Sequence, residues 1–149
     1  FCLSRGLGDV YKRQIQKLQR IQNTLARVVV GARRRDSITP ILQDLHWLPI
    51  EQRIMYKVAL ITHKVLQEQQ PHYLAELAVK YQPSRQLRSS TQCRLAKSTG
   101  LKSKLGRQAF STASEEVWNT LPVQLRETTH LQTFKRNLKT HLCNTVYRS

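Results

Sequence analysis

At 149 residues the chain can bury one hydrophobic core, and no apolar run approaches the ~18 residues that a membrane-spanning helix needs. Lys and Arg outnumber Asp and Glu by 25 to 9, a formal charge of +16. An excess of that size points to a polyanion: nucleic acid before membrane surface, because the basic residues are spread along the chain rather than gathered on one helix.

The first fourteen residues stand apart. Residues 4–14 read S-R-G-L-G-D-V-Y-K-R-Q and resemble an in-frame translation of a sequencing adaptor, and the chain opens on Phe1. Residues 1–14 are therefore expected to be a non-native leader and are set aside from the fold. Leaving out Arg5, Asp9, Lys12 and Arg13 still leaves a charge of +14.

From Ile15 the helical period begins. Ile15, Leu18, Ile21/Gln22, Leu25, Val28 and Val29 line one side of a predicted helix over residues 15–30, with Gly31 as its stop and Arg20 and Arg27 on another face. Arg33-Arg34-Arg35 follows, the densest basic cluster in the chain. Such a cluster reads on its own as a solvated linker; the net charge favours phosphate contact.

Residues 39–66 hold two X-Pro steps. Thr39-Pro40 has the form of an N-cap with proline in the first turn, and Leu48-Pro49 forces a break at Trp47-Leu48. A short helix should therefore turn at His46-Trp47 into a long one, with Trp47 as the plug of the corner. The long helix carries Ile54, Val58, Ile61 and Val65 on one face, with Arg53, Lys57 and Lys64 between them. Gln67 to Pro71 is a polar break, and Pro71 can open a short helix with Tyr73, Leu74 and Leu77 inward.

Residues 80–107 are rich in Ser, Gln, Lys and Arg with sparse apolar side chains and no acid, and self-repulsion favours extension there. Residues 93–96 and 109–112 can pair as a small hairpin. A helix is expected again from Ser114, with Glu115 and Glu116 in its first turn and Val117, Trp118 and Leu121 inward, ending at Pro122. Thr129-His130-Leu131-Gln132 has the form of a capping box, opening a helix with Leu131, Phe134, Leu138 and Leu142 inward. The predicted fold is mainly α, five to six helices with at most one hairpin around residues 93–112. It divides into a helical part (15–79), a basic segment (80–113) and C-terminal helices (114–149) of one domain.

Little in this pattern carries chemistry. The only adjacent acidic pair is Glu115-Glu116, which the helix start explains, and there is no Gly-rich phosphate loop or nucleophile motif. His46 at a helix corner reads as a structural residue. His141 and Cys143 lack a second donor pair, and Cys2, Cys93 and Cys143 form no C-x-x-C, so neither zinc nor a disulfide framework is expected and a reducing compartment fits. No catalytic residue, metal or cofactor is predicted.

Several motifs resemble a known family. Leu18-Gln19-Arg20, Gln22-Asn23, Ala26-Arg27, Thr39-Pro40, Leu42, Leu45-His46-Trp47-Leu48-Pro49, Arg53-Ile54 and Lys57 stand in order. Leu87-Arg88-Ser89-Ser90, Ala109-Phe110-Ser111, Trp118-Asn119-Thr120-Leu121-Pro122, and Phe134-Lys135 with Leu138-Lys139-Thr140-His141-Leu142 follow. Together they are similar to the region downstream of the polymerase domain in non-LTR retrotransposons (LINE elements) of the jockey type. The resemblance covers nearly everything from Ile15 onward.

The resemblance implies a non-catalytic C-terminal piece of an RNA-directed DNA polymerase, whose paired polymerase aspartates and endonuclease residues would lie upstream. It also implies nucleic acid (template RNA or target DNA) and the rest of the reverse transcriptase as partners, no membrane, and an intracellular ribonucleoprotein, nuclear or cytoplasmic. The residues expected to contact phosphate are Arg20, Arg27, Arg33, Arg34, Arg35, Arg53, Lys57, Arg85, Arg88, Lys102, Lys104, Lys135, Arg136 and Lys139. Tyr56, Tyr73, Tyr81, Trp47 and Trp118 are candidates for base stacking, with core packing the stronger reading for both tryptophans. Two alternatives remain at this point: a scaffolding module docked on the polymerase body, and a decayed element without function.

Overall fold

The computed structural model describes residues 7–82, 93–96 and 109–147, with side chains from Lys12 onward. Among these residues the fold is mainly α, as expected, with seven helices: α1 (Leu7–Val30), α2 (Ile38–Asp44), α3 (Ile50–Glu68), α4 (His72–Ala75), α5 (Phe110–Thr120), α6 (Val123–Arg126) and α7 (Leu131–Tyr147). Contacts group them into two compact units, one of residues 1–54 and 139–149, the other of residues 55–138.

In the first unit α1 begins at Leu7, eight residues before the expected start, so its helix runs through the end of the presumed leader. It stops where Gly31 adopts φ 70°, a left-handed conformation that glycine reaches without a Cβ penalty. The Gly31 N–H donates to the Val28 carbonyl (3.4 Å) and the Ala32 N–H to the Arg27 carbonyl (2.9 Å). That pair of bonds is a Schellman motif, and it satisfies two carbonyls the helix end would leave open.

The inward face of α1 coincides with the expected line only at Ile15, half-buried, and at Gln22. Gln22 and Ala26 are buried and Gln19 and Asn23 half-buried, whereas Leu18, Ile21, Leu25, Val28 and Val29 are exposed. The break at Leu48-Pro49 supplies the reason. It leaves backbone groups without helical partners, and α1 provides them: Gln22 Nε2 donates to the Leu48 carbonyl (2.8 Å), and Gln19 Oε1 accepts the Ile50 N–H (2.9 Å). Leaving buried peptide groups unpaired costs about 1–3 kcal/mol each, so a polar seam wins over an apolar one here. Ala26, fully buried, packs against Ile41 and Leu42, with Ala32, Ile38, Leu45, Trp47 and Tyr147 around them.

The α2–α3 corner turns where it was expected. His46 takes φ 54°, and the Trp47 N–H donates back to the Leu42 carbonyl at 2.9 Å. Trp47 plugs the corner, half-buried in the cluster around Ala26. The cap of α2 is Ser37 rather than Thr39, which places Pro40 third in the helix, still among the residues whose N–H has no helical acceptor.

In the second unit Trp118, Phe134, Leu138, His63, Thr62 and Ser114 are fully buried. His63 stacks on Phe134 (centroids 4.2 Å apart, 20° between planes), and Trp118 lies tilted 5.9 Å from the same ring. Burying such a phenylalanine contributes about 1.5–3 kcal/mol. On α3 the buried face centres on Ala59, Thr62, His63 and Val65; Val58 and Ile61 are half-buried and Ile54 is exposed. The inward face is thus rotated from the expected one toward His63, which has its own hydrogen bond, Nε2–H to the Thr128 carbonyl at 2.7 Å. Because a carbonyl only accepts, Nε2 is the donor, and the buried Nδ1 has no hydrogen-bond partner.

Four further expectations are corrected. Residues 93–96 pair not with 109–112 but with residues 79–81, through an antiparallel bridge of Lys80 and Leu95 flanked by Tyr81 N–H to Arg94 O and Ala96 N–H to Val79 O, each 2.9 Å. Residues 109–112 open α5, whose stripe reaches back through Ser114 to Phe110; Glu115 and Glu116 therefore lie mid-helix, not in the first turn. The short helix after Pro71 leaves Tyr73 and Leu77 exposed, with only Leu74 half-buried. In α7 the expected Phe134, Leu138 and Leu142 are all buried, while the first helical bond runs from Phe134 N–H to the His130 carbonyl, one residue past the capping threonine read from the sequence.

Candidate nucleic-acid interface

By sequence the two units share the charge equally: residues 1–54 and 139–149 hold twelve basic residues against four acids, and residues 55–138 thirteen against five, so each carries +8. Among described side chains the first unit holds ten basic residues (Lys12, Arg13, Lys17, Arg20, Arg27, Arg33, Arg34, Arg35, Arg53, Lys139) against three acids (Asp36, Asp44, Glu51). The second holds seven (Lys57, Lys64, Lys80, Arg94, Arg126, Lys135, Arg136) against five (Glu68, Glu76, Glu115, Glu116, Glu127). Six more basic residues of the second unit, Arg85, Arg88, Lys97, Lys102, Lys104 and Arg107, lie outside the described residues.

Within the first unit the expected residues gather along α1 and the loop after it. Arg20 and Arg27 share one sector of the helix with Arg13 and Lys17, which were not among the expected residues: from Arg13 the four recur at steps of four, three and seven. The Schellman stop then releases the chain into Arg33-Arg34-Arg35, all exposed. Asp36 shapes this loop: its Oδ2 accepts the Arg33 N–H at 2.6 Å, and its carbonyl accepts from Arg27 Nη2 at 3.3 Å. Arg27 is half-buried with an unpartnered Nε, so it braces the loop more than it reaches outward. The three loop arginines can face a phosphate backbone together.

The remaining expected residues divide. Arg53 and Lys139, in the first unit, are exposed on α3 and α7. Lys57 and Arg136 are exposed and Lys135 half-buried in the second unit. Arg85, Arg88, Lys102 and Lys104 lie outside the described residues. Of the aromatic candidates Trp118 is fully buried and Trp47 and Tyr56 are half-buried, while Tyr73 and Tyr81 are exposed and open to stacking.

The sequence reading missed the side chains that hold the second unit together. Asn119 clamps both backbone groups of Leu95, accepting its N–H on Oδ1 and donating Nδ2–H to its carbonyl, 3.1 Å each. The Cys93 carbonyl accepts from Trp118 Nε1 (3.0 Å) and Arg126 Nη1 (3.3 Å). Arg126 is buried and also donates through Nε to the Leu121 carbonyl at 3.1 Å. Desolvation, then the charge of Arg94, pushes its pKa down. Thus the Trp118-Asn119 and Gln19/Gln22 motif residues are backbone clamps. His46 is exposed with Nδ1 3.0 Å from the Asp44 carbonyl, and among the described residues no three His, Cys, Asp or Glu side chains gather into a metal site.

No family model, curated protein or solved structure matches this chain.

Proposed function

We propose that the protein is a non-catalytic nucleic-acid-binding piece of a retrotransposon RNA-directed DNA polymerase, gripping RNA or DNA through phosphate contacts. The observation that carries this reading is the exposure of Arg33, Arg34 and Arg35 together at the end of a basic helix sector, in a chain whose net charge is +16. Contacts of this kind neutralise phosphates without reading bases, so affinity falls with salt and is tolerant of sequence. The motif resemblance supplies the polymerase context; the residues themselves supply only the binding.

Filter binding of single-stranded RNA and duplex DNA across a salt series tests it. The affinity should fall steeply with salt, and replacing all three loop arginines by Ala should lower the log–log slope by about two to three, at roughly 0.7–0.9 per phosphate contact. Binding that is absent or indifferent to salt sinks the reading, and an unchanged slope in the triple variant removes the loop from it.

A further inference from the structure

Helix α1 has three sectors, and two have been used: Gln19, Gln22 and Ala26 turn inward, and Arg13, Lys17 and Arg20 form the basic side. The third is apolar and open. Leu18, Ile21, Leu25 and Val28 range from 50% exposed at Leu18 to 73% at Val28, although a helix ordinarily turns such a stripe into its core. Hydrogen bonding at the α2–α3 corner fixes the rotation of α1, so the stripe cannot turn inward without breaking the Gln22–Leu48 and Gln19–Ile50 bonds.

We infer that this stripe is a docking seam for an acidic amphipathic helix. Two features of α1 specify that occupant. The spacing is three, four, three, the a/d pattern by which one helix receives the knobs of another along a single narrow seam. The flank is the second: one side of the stripe borders the folded interior, and the open side carries Lys17 and Arg20, with Arg13 a turn further on. A partner helix therefore meets positive charge wherever it extends past the seam, and Glu or Asp there is complementary.

A second copy of the chain would bring basic flanks to basic flanks, which disfavours self-pairing. A lipid surface suits a broad apolar face with aromatic anchors better than a narrow seam whose neighbouring sector is bonded to Leu48 and Ile50. This inference does not depend on nucleic-acid binding.

The test uses the full chain and a fluorescein-labelled synthetic helix of about three heptads, Leu at a and d and Glu at e and g. Anisotropy should report saturable 1:1 binding. A matched peptide with Lys in place of Glu should bind at least about ten-fold more weakly, as like charges across a seam predict. The variant Leu18→Gln/Leu25→Gln changes only exposed side chains. Its circular dichroism and RNA affinity should match the parent's, while its affinity for the Glu peptide falls about ten-fold or more. Equal binding of both peptides, or of parent and variant, overturns the proposal. So does self-association in sedimentation velocity that the variant abolishes, or stripe-dependent binding to phosphatidylserine vesicles without peptide binding. Loss of RNA binding with peptide binding intact would remove the nucleic-acid reading and leave this one standing.

Discussion

Tyr147, in the last turn of α7, donates its hydroxyl hydrogen to the backbone carbonyl of Trp47, 2.6 Å away and one hundred residues earlier in the chain. The bond closes the α2–α3 corner from the far end of the sequence. Burial, and next to it Cys143, hold the Tyr147 phenol above its ordinary pKa. The folded state therefore keeps this proton longer than the unfolded chain does. The contribution is full below the ordinary tyrosine range and is lost as pH rises through it, above about pH 10. Tyr147→Phe should cost about 1 kcal/mol at neutral pH and make the alkaline loss shallower. Urea midpoints between pH 7 and pH 11 check this, and a residual alkaline slope is expected from Tyr56, shifted the same way by burial.

The corner itself yields a second prediction. His46 holds φ 54°, where a side chain with a Cβ is strained by roughly 1–2 kcal/mol. His46→Gly removes that strain and adds about 0.5–1 kcal/mol of chain entropy to the unfolded state, so its stability should match or slightly exceed the parent's. His46→Val, branched at the strained position, should lose at least about 1 kcal/mol. Thermal melts of the two variants measure the difference. If His46 had a chemical role, nucleic-acid affinity would drop in both; as a corner residue it leaves affinity alone.

Local signals in the sequence were sufficient for this corner. Proline after Leu48, glycine after Val30 and the clean period of Phe134, Leu138 and Leu142 each act within a few residues, and each lies where the sequence puts it. The orientation of α1 was not legible, because periodicity assumes that apolar side chains win the interior. Here the winning terms are the Leu48 carbonyl and Ile50 N–H, distant peptide groups that Gln22 and Gln19 must satisfy. The pairing of Leu95 with Lys80 was hidden for the same reason: its lock is Asn119, a polar residue 24 positions further on. Of the candidate interface, the Arg33–Arg35 cluster was plain from composition. That Asp36 would shape its loop, and that Arg27 would brace it, needed three dimensions.

Asn119 gives the third prediction. Its amide replaces a neighbouring strand for Leu95, filling both backbone groups of a residue whose side chain is buried. Asn119→Ala should destabilise the second unit by about 2 kcal/mol, one net hydrogen bond each for donor and acceptor. Asn119→Asp should be no better, since it sets a carboxylate against the Leu95 carbonyl. Amide exchange reads the effect directly: Leu95 N–H should be protected in the parent and exchange early in either variant, ahead of Phe134. Unchanged protection would mean that the clamp contributes nothing.

Arginines of two kinds are present, and one comparison separates them. Arg126 is buried, and its guanidinium fork reaches two carbonyls, Leu121 through Nε and Cys93 through Nη1. Arg126→Lys should still destabilise, because an ammonium is more strongly hydrated and cannot span both acceptors from one planar group. Arg126→Met keeps apolar volume, loses both bonds and should cost about 2–3 kcal/mol, the range for hydrogen bonds made by a charged donor. Neither change should alter the salt slope of nucleic-acid binding, since this charge does not face solvent. Replacing Arg33, Arg34 and Arg35 should do the reverse: the slope falls while the urea midpoint stays within about 0.5 kcal/mol of the parent's, as for surface substitutions generally. A slope that moved with Arg126 and not with the loop arginines would relocate the interface to the second unit.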